Sequence, residues 1–204
     1  MYSTYASDDI EVKDAKGLLK AKKTIFDLAA KMPDHSVVGP RSAEKEVVTT
    51  GLTYQKGAWV LHMLRQLMGE VNFRKGIRSY YAKYFNDNAS TEDFRLEMEK
   101  ASGMRLDKFF QQWLYQPTNP TLQVSWKFEK STKKLILDVE QVQLGNTVFE
   151  APIQVACYFK GSKQPFYRTI RLKERKQRFV FQVNQQIDRL EFDPGNTFLC
   201  NLKL

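Results

Sequence analysis

Apolar positions along the chain follow two different rhythms, and the change falls near Pro117-Thr118-Asn119-Pro120. Before it the spacing is helical, because apolar side chains recur every three or four residues and so line one face of a helix. A first helix is predicted from about Asp9 to Lys31, with Leu18, Leu19, Ile25, Phe26 and Ala29 on its inner side, and Pro33 stops it. Residues 33–52 read as a loop rich in Pro, Gly, Ser and Thr. A second helix fits residues 55–68 and closes at Gly69. In a third, Phe73, Ile77, Tyr81 and Tyr84 form an inner stripe. Ser90-Thr91-Glu92-Asp93 has the spacing of a capping box, opening a helix with Phe94 and Met98 that Gly103 ends. A last helix holds Leu106, Phe109, Phe110, Trp113 and Leu114.

From Thr121 the period is two. Leu122, Val124, Trp126 and Phe128 alternate with polar residues, as do Leu135, Leu137 and Val139. Five further strands are predicted at Phe149–Phe159, Phe166–Leu172, Phe179–Val183, Leu190–Phe192 and Phe198–Leu202. Seven short strands separated by Gly, Lys and Ser turns argue a small antiparallel sandwich. The expected fold class is therefore α + β in two domains, an all-helical part over 1–118 followed by an Ig-like antiparallel β-sandwich over 119–204.

Composition agrees with a folded chain. Of the 204 residues 42% are apolar, enough buried surface to offset chain entropy, and no stretch reaches the length of a membrane span. The first residues lack the basic and apolar regions of a secretory signal. The net charge of +9 is uneven: residues 1–118 hold 18 basic and 15 acidic residues, and residues 119–204 hold 14 and 8. The densest run, Lys173-Glu174-Arg175-Lys176-Gln177-Arg178, lies between two alternating segments and reads as a solvated hairpin tip rather than a polyanion site. No nucleic-acid motif accompanies it, so no nucleic-acid partner is expected. Cys157 and Cys200 fall in strand-like segments, and a bridge or two buried thiols both suit them.

Catalytic constellations are mostly absent. His35 and His62 belong to no HExxH, and there is no GxSxG, Walker loop or GxGxxG. His62, flanked by apolar residues, reads as a core histidine. One stretch stands out: Thr53-Tyr54-Gln55-Lys56-Gly57-Ala58-Trp59. Tyr54 is expected just before a helix, where it donates a hydrogen bond or simply packs. Gly57, within the first helical turn, costs ~1 kcal/mol relative to Ala and so suggests a close backbone approach.

Here the sequence resembles the aminopeptidase N family of zinc metallopeptidases, the gluzincin aminopeptidases. The matching segments are Tyr54-Gln55-Lys56-Gly57-Ala58, then Val60-Leu61-His62-Met63-Leu64-Arg65, then Leu67-Met68-Gly69-Glu70 with Phe73. Thr91-Glu92-Asp93-Phe94, Ala101-Ser102-Gly103 with Leu106, Phe109-Phe110-Gln111-Gln112-Trp113-Leu114 and Phe192-Asp193-Pro194 follow in the family's order. The resemblance implies that the helical part is the C-terminal portion of a thermolysin-like catalytic domain. It also implies that the chain is a piece of a longer hydrolase, because the family's HExxH and third-ligand Glu lie upstream of the tyrosine motif. Zinc would then be the cofactor of the parent protein with its ligands outside this chain, and the substrate a peptide cut at its N-terminus. The missing N-terminal and zinc-binding domains would be partners of this segment.

One family catalytic residue carries over: Tyr54, which would donate a hydrogen bond to the oxyanion of the tetrahedral intermediate opposite the zinc. A placed donor of this kind is commonly worth ~3–4 kcal/mol in the barrier, and a phenol supplies it while neutral. Lys56 and Arg65 stay unassigned, structural or facing the cleft, while Tyr80, Tyr81, Phe109, Phe110 and Trp113 read as packing. The isolated chain is expected to be inactive. The compartment is open, cytoplasmic or periplasmic if the parent is exported. A rival of another class is a non-catalytic binding or scaffold protein derived from the family, and a weaker one is a polyanion-binding module.

Overall fold

The structure is a computed structural model that describes residues 15–39 and 51–203. The predicted start of the first helix at residues 9–14, and most of the predicted loop, at residues 40–50, lie outside the described residues. The chain divides into two compact units: residues 31–117, and residues 118–204 grouped with the N-terminal residues as far as Ala30.

The first unit is helical. It contains α2 (Gly51–Met68), α3 (Glu70–Lys83), α4 (Thr91–Ser102) and α5 (Asp107–Phe110), which runs on into a π-helical turn, Gln111–Tyr115. The capping box opens α4 as the sequence suggests. Ser90 Oγ accepts from the Asp93 N–H (3.2 Å), and the Ser90 N–H donates to Asp93 Oδ2 (2.9 Å). Gly103 closes the helix at φ 70°, a left-handed conformation that glycine adopts without a Cβ penalty.

The third helix differs from expectation by one position. Tyr81 is 66% exposed, and the inward line is instead Phe73, Gly76, Ile77, Tyr80 and Tyr84, whose steps of 3, 1, 3 and 4 keep to one face of the helix. Gly76 is the contact point with α4, since a Cβ there would lie 2.5 Å from Met98 Sδ. Around that contact, Tyr80 packs edge-on to Phe94, and Phe94 packs on Phe110. Glu97, buried on α4, accepts from Ser79 Oγ (2.7 Å) and Lys83 Nζ (2.9 Å). These bonds, Ser79 first, hold its carboxyl below the usual carboxylate range.

The second unit is a sandwich of a four-stranded sheet, β5-β2-β1-β7, and a three-stranded sheet, β4-β3-β6. The strands are β1 (Thr121–Glu129), β2 (Lys134–Gln141), β3 (Ala151–Phe159), β4 (Phe166–Leu172), β5 (Lys176–Gln182), β6 (Ile187–Phe192) and β7 (Asn201–Lys203). Alternation does the sorting: Leu122, Val124, Leu135, Leu137 and Val139 are buried from one sheet, and Ile153, Val155, Cys157, Ile170 and Leu172 from the other. One pair departs from the expected antiparallel pattern, for β7 runs parallel to β1. The last predicted strand is also shorter, because Phe198, Leu199 and Cys200 are buried ahead of it without strand pairing. The buried Asp193 carboxylate holds the turn before them, accepting from the Thr197 N–H (2.8 Å), Thr197 Oγ1 (2.7 Å) and the Phe198 N–H (2.9 Å).

The helix α1 (Ala15–Lys31), expected with the helical part, groups through Ala30 with the strands. Ile25 is fully buried, and the charge of Lys22 reaches Asp193 and Cys200. Leu19, expected on the inner side, is 54% exposed.

Residues 173–178 are not a hairpin tip. β4 and β5 belong to different sheets, so residues 173–175 are the crossover between them and residues 176–178 open β5. The charges of the run have partners within the fold. Arg175 donates to the carbonyls of Gln141 and Gln143 (both 3.0 Å) and of Gly145. Lys176 pairs with Glu140, and Arg178 makes a two-pronged pair with Asp138. Cys157 and Cys200 are buried free thiols, and burial pushes them up to about 11 and about 12 respectively.

A buried amide, Gln141, helps tie strand to connection. Gln141 Oε1 accepts from the Phe149 N–H, and Gln141 Nε2 donates to the Phe149 carbonyl, both at 2.9 Å. Its removal leaves two buried backbone groups without these bonds. Gln141→Leu is therefore expected to cost about 2–4 kcal/mol of unfolding free energy in urea titrations, and a cost under about 0.5 kcal/mol would contradict the assignment.

Candidate active site

Tyr54 lies in the first turn of α2, which begins at Gly51, four residues earlier than the spacing suggested. It is therefore a helical residue and does not precede the helix. Tyr54 is 47% exposed.

The turn that carries it is pinned on both flanks. On one, His35 Nε2 lies 2.9 Å from Oγ1 of Thr53, the residue immediately before Tyr54. The segment bearing His35 is itself held in place, since the Val38 N–H donates to the Leu114 carbonyl at 2.8 Å and Ser36 Oγ donates to the Val38 carbonyl at 2.9 Å. On the other flank is Lys56. Its side chain is fully buried, and Nζ donates to the backbone carbonyl of Gln116 at 3.0 Å, just beyond the π-helical turn. Burial lowers the ammonium to about 8. Lys56, left open from sequence, is thus an internal anchor and does not face solvent.

Other residues of the motif are structural. His62 is buried, with its ring edge-on to Trp59. Arg65, the other unassigned residue, pairs with Glu70 at the junction of α2 and α3, where Arg74 joins it. The Arg65 guanidinium first, with Arg74, holds the Glu70 carboxyl below its usual range. Trp113 and Phe110 are buried as expected, and Phe109 meets Phe110 edge-on. Tyr81 lies out on the surface beside Phe85. Gly57 is not required by a close approach to any described residue, because a Cβ there would meet only Val37 Cγ1 at 4.0 Å. Among the described residues no group of three or more His, Cys, Asp or Glu stands together as metal ligands, so they do not fit a zinc site and no step is assigned to one.

Comparison with known proteins decides the family. Residues 6–113 match the Peptidase family M1 domain, which is more than half of the chain. The chain belongs to the M1 peptidase family. Aminopeptidase N of Haemophilus influenzae is 32% identical over 137 residues, 64% of this chain and 16% of that protein. Aminopeptidase N of Escherichia coli is 27% identical over 161 residues, 72% of this chain and 18% of that protein. The glutamyl aminopeptidase of Rattus norvegicus is 33% identical over 109 residues, 52% of this chain and 12% of that protein. This M1 chain therefore spans less than a fifth of the length of these relatives. In structure it is similar to Legionella pneumophila aminopeptidase A, solved in complex with aspartic acid, with a TM-score of 0.68 and 18% identity. That likeness covers 92% of this chain and 24% of the other. It establishes a shared fold. Tyr54 and both of its flanking ties lie within the M1 match or, at Gln116, just beyond it.

The Lys56 ammonium gives the M1 helical unit a signature in alkali. Its folded value of about 8 lies below its ordinary value of 10.5, so between the two the unfolded chain binds more protons than the folded one. Stability contributed at this site must then rise with pH across that window. Wild type is expected to gain stability relative to Lys56→Met as pH is raised from about 8 to about 10.5, as read by urea titrations at several pH values. Parallel pH profiles would contradict the assignment.

Proposed function

We propose that this chain is the C-terminal portion of a zinc-dependent aminopeptidase, in which Tyr54 stabilises the oxyanion formed as a peptide loses its N-terminal residue. The observation that carries the reading is the M1 match over residues 6–113, with Tyr54 exposed on a helical turn that neighbouring segments hold. The names of the relatives, aminopeptidase N and glutamyl aminopeptidase, support peptide N-termini as the substrate class.

The chemistry asks little of the phenol itself. As the scissile carbonyl becomes tetrahedral its oxygen gains charge, and a donor already in place stabilises the transition state more than the ground state. A phenol hydroxyl donates one hydrogen bond without giving up its proton. Zinc and the groups that activate water belong, on this reading, to parts of the longer protein outside the described residues.

Two outcomes test the reading. In the full-length enzyme, Tyr54→Phe is expected to lower kcat on aminoacyl p-nitroanilides about 100-fold or more with KM little changed, and a wild-type kcat would contradict the role. The isolated 204-residue chain is expected to retain no stoichiometric zinc after dialysis and to release no p-nitroaniline. Retained zinc with turnover would overturn the division of the site between this chain and the rest.

A further inference from the structure

The tie between Lys56 and Gln116 is long-range, joining residues 60 positions apart, and it is unusual in kind. A fully buried ammonium is costly unless partnered, and an apolar side chain of similar shape is often as stabilising at such a site or more so. Core packing alone would thus be served by Met or Leu. What the ammonium adds is direction: a charge-assisted bond that fixes one point of α2 against one point of the chain beyond the π-helical turn.

That point is two residues from Tyr54. At 3.6 residues per turn, side chains two apart project from nearly opposite sides of a helix. The Lys56 side chain is accordingly buried where Tyr54 is exposed. The imidazole of His35 holds the adjoining residue, Thr53, from a third segment. The backbone of Tyr54 is thereby bracketed one residue before and two residues after. A donor to a developing oxyanion has to be placed to within a fraction of an ångström, and a misplacement of ~1 Å can cost ~100-fold in rate.

We propose that Lys56 is a positioning residue for Tyr54: its bond to the Gln116 carbonyl sets the pitch and rotation of the first turn of α2 and so aims the phenol. The proposal rests on the reading of Tyr54 given above. Lys56 itself touches no substrate.

A double-mutant cycle in the full-length enzyme tests it, using wild type, Lys56→Met, Tyr54→Phe and the double variant on alanyl and glutamyl p-nitroanilides. Met keeps the apolar stem and removes the ammonium. Lys56→Met is expected to lower kcat about tenfold or more with KM within about twofold, because aim and not binding is lost. In the Tyr54→Phe background the same change should lower kcat by less than about twofold, since no phenol remains to be aimed. Equal fold-losses in the two backgrounds would overturn the proposal while leaving Tyr54 as the donor. A wild-type kcat in Tyr54→Phe would instead remove the reading beneath it, and the proposal with it. If Lys56→Met does not fold, Lys56→Gln goes through the same cycle, and the same fold-losses decide for or against the proposal.

Discussion

A positive charge has been taken out of water at Lys56, and the helical unit is arranged around that fact. Isolated burial of an ammonium costs on the order of several kcal/mol, so the group needs a fixed acceptor. The acceptor is a backbone carbonyl, at Gln116, which no side-chain substitution can remove. For the bond to exist, α2 must present Lys56 inward and the π-helical turn must end where it does. Trp113 and Leu114, buried on that turn, and the Val38–Leu114 backbone bond hold the acceptor's side of the contact. The exposed face of the same helical turn is then free to carry Tyr54. Burial of Lys56 on one side and exposure of Tyr54 on the other are two consequences of one helical repeat.

The strand unit is stabilised differently. Its interior is built from alternating aliphatic side chains, and its connections are held by polar groups that stand in for backbone partners. Gln141 completes the backbone bonds of Phe149, Arg175 collects carbonyls from the crossover, and Asp193 caps the residues after the last long strand. The abundant charge of residues 119–204 is in part explained by this work. Arg178 and Lys176 are committed to Asp138 and Glu140 across neighbouring strands.

What was legible in the sequence was local. The Ser90–Asp93 box, the Gly103 cap and all seven strands depend on residues a few positions apart, and their signatures are written in short windows. The family was legible for another reason, the run of motifs around Tyr54. The errors came where longer-range packing decides. Tyr81 and Tyr80 are neighbours with equal propensity, and only the position of α4 settles which turns inward. The run at 173–178 looks like a hairpin tip until β4 and β5 are seen in separate sheets. The ties at Lys56 and His35 span 60 and 18 positions, and nothing in either local window names the partner.

On the proposed reading, the phenol of Tyr54 stands where the tetrahedral oxygen forms. The most direct measurement is a crystal structure of the full-length enzyme with a phosphinic pseudopeptide, whose tetrahedral phosphinate stands in for that intermediate. Tyr54 Oη is expected within hydrogen-bond reach of a phosphinate oxygen, at roughly 2.5–3.0 Å. A phenol turned away, more than about 4 Å from either oxygen with the inhibitor fully bound, would contradict it.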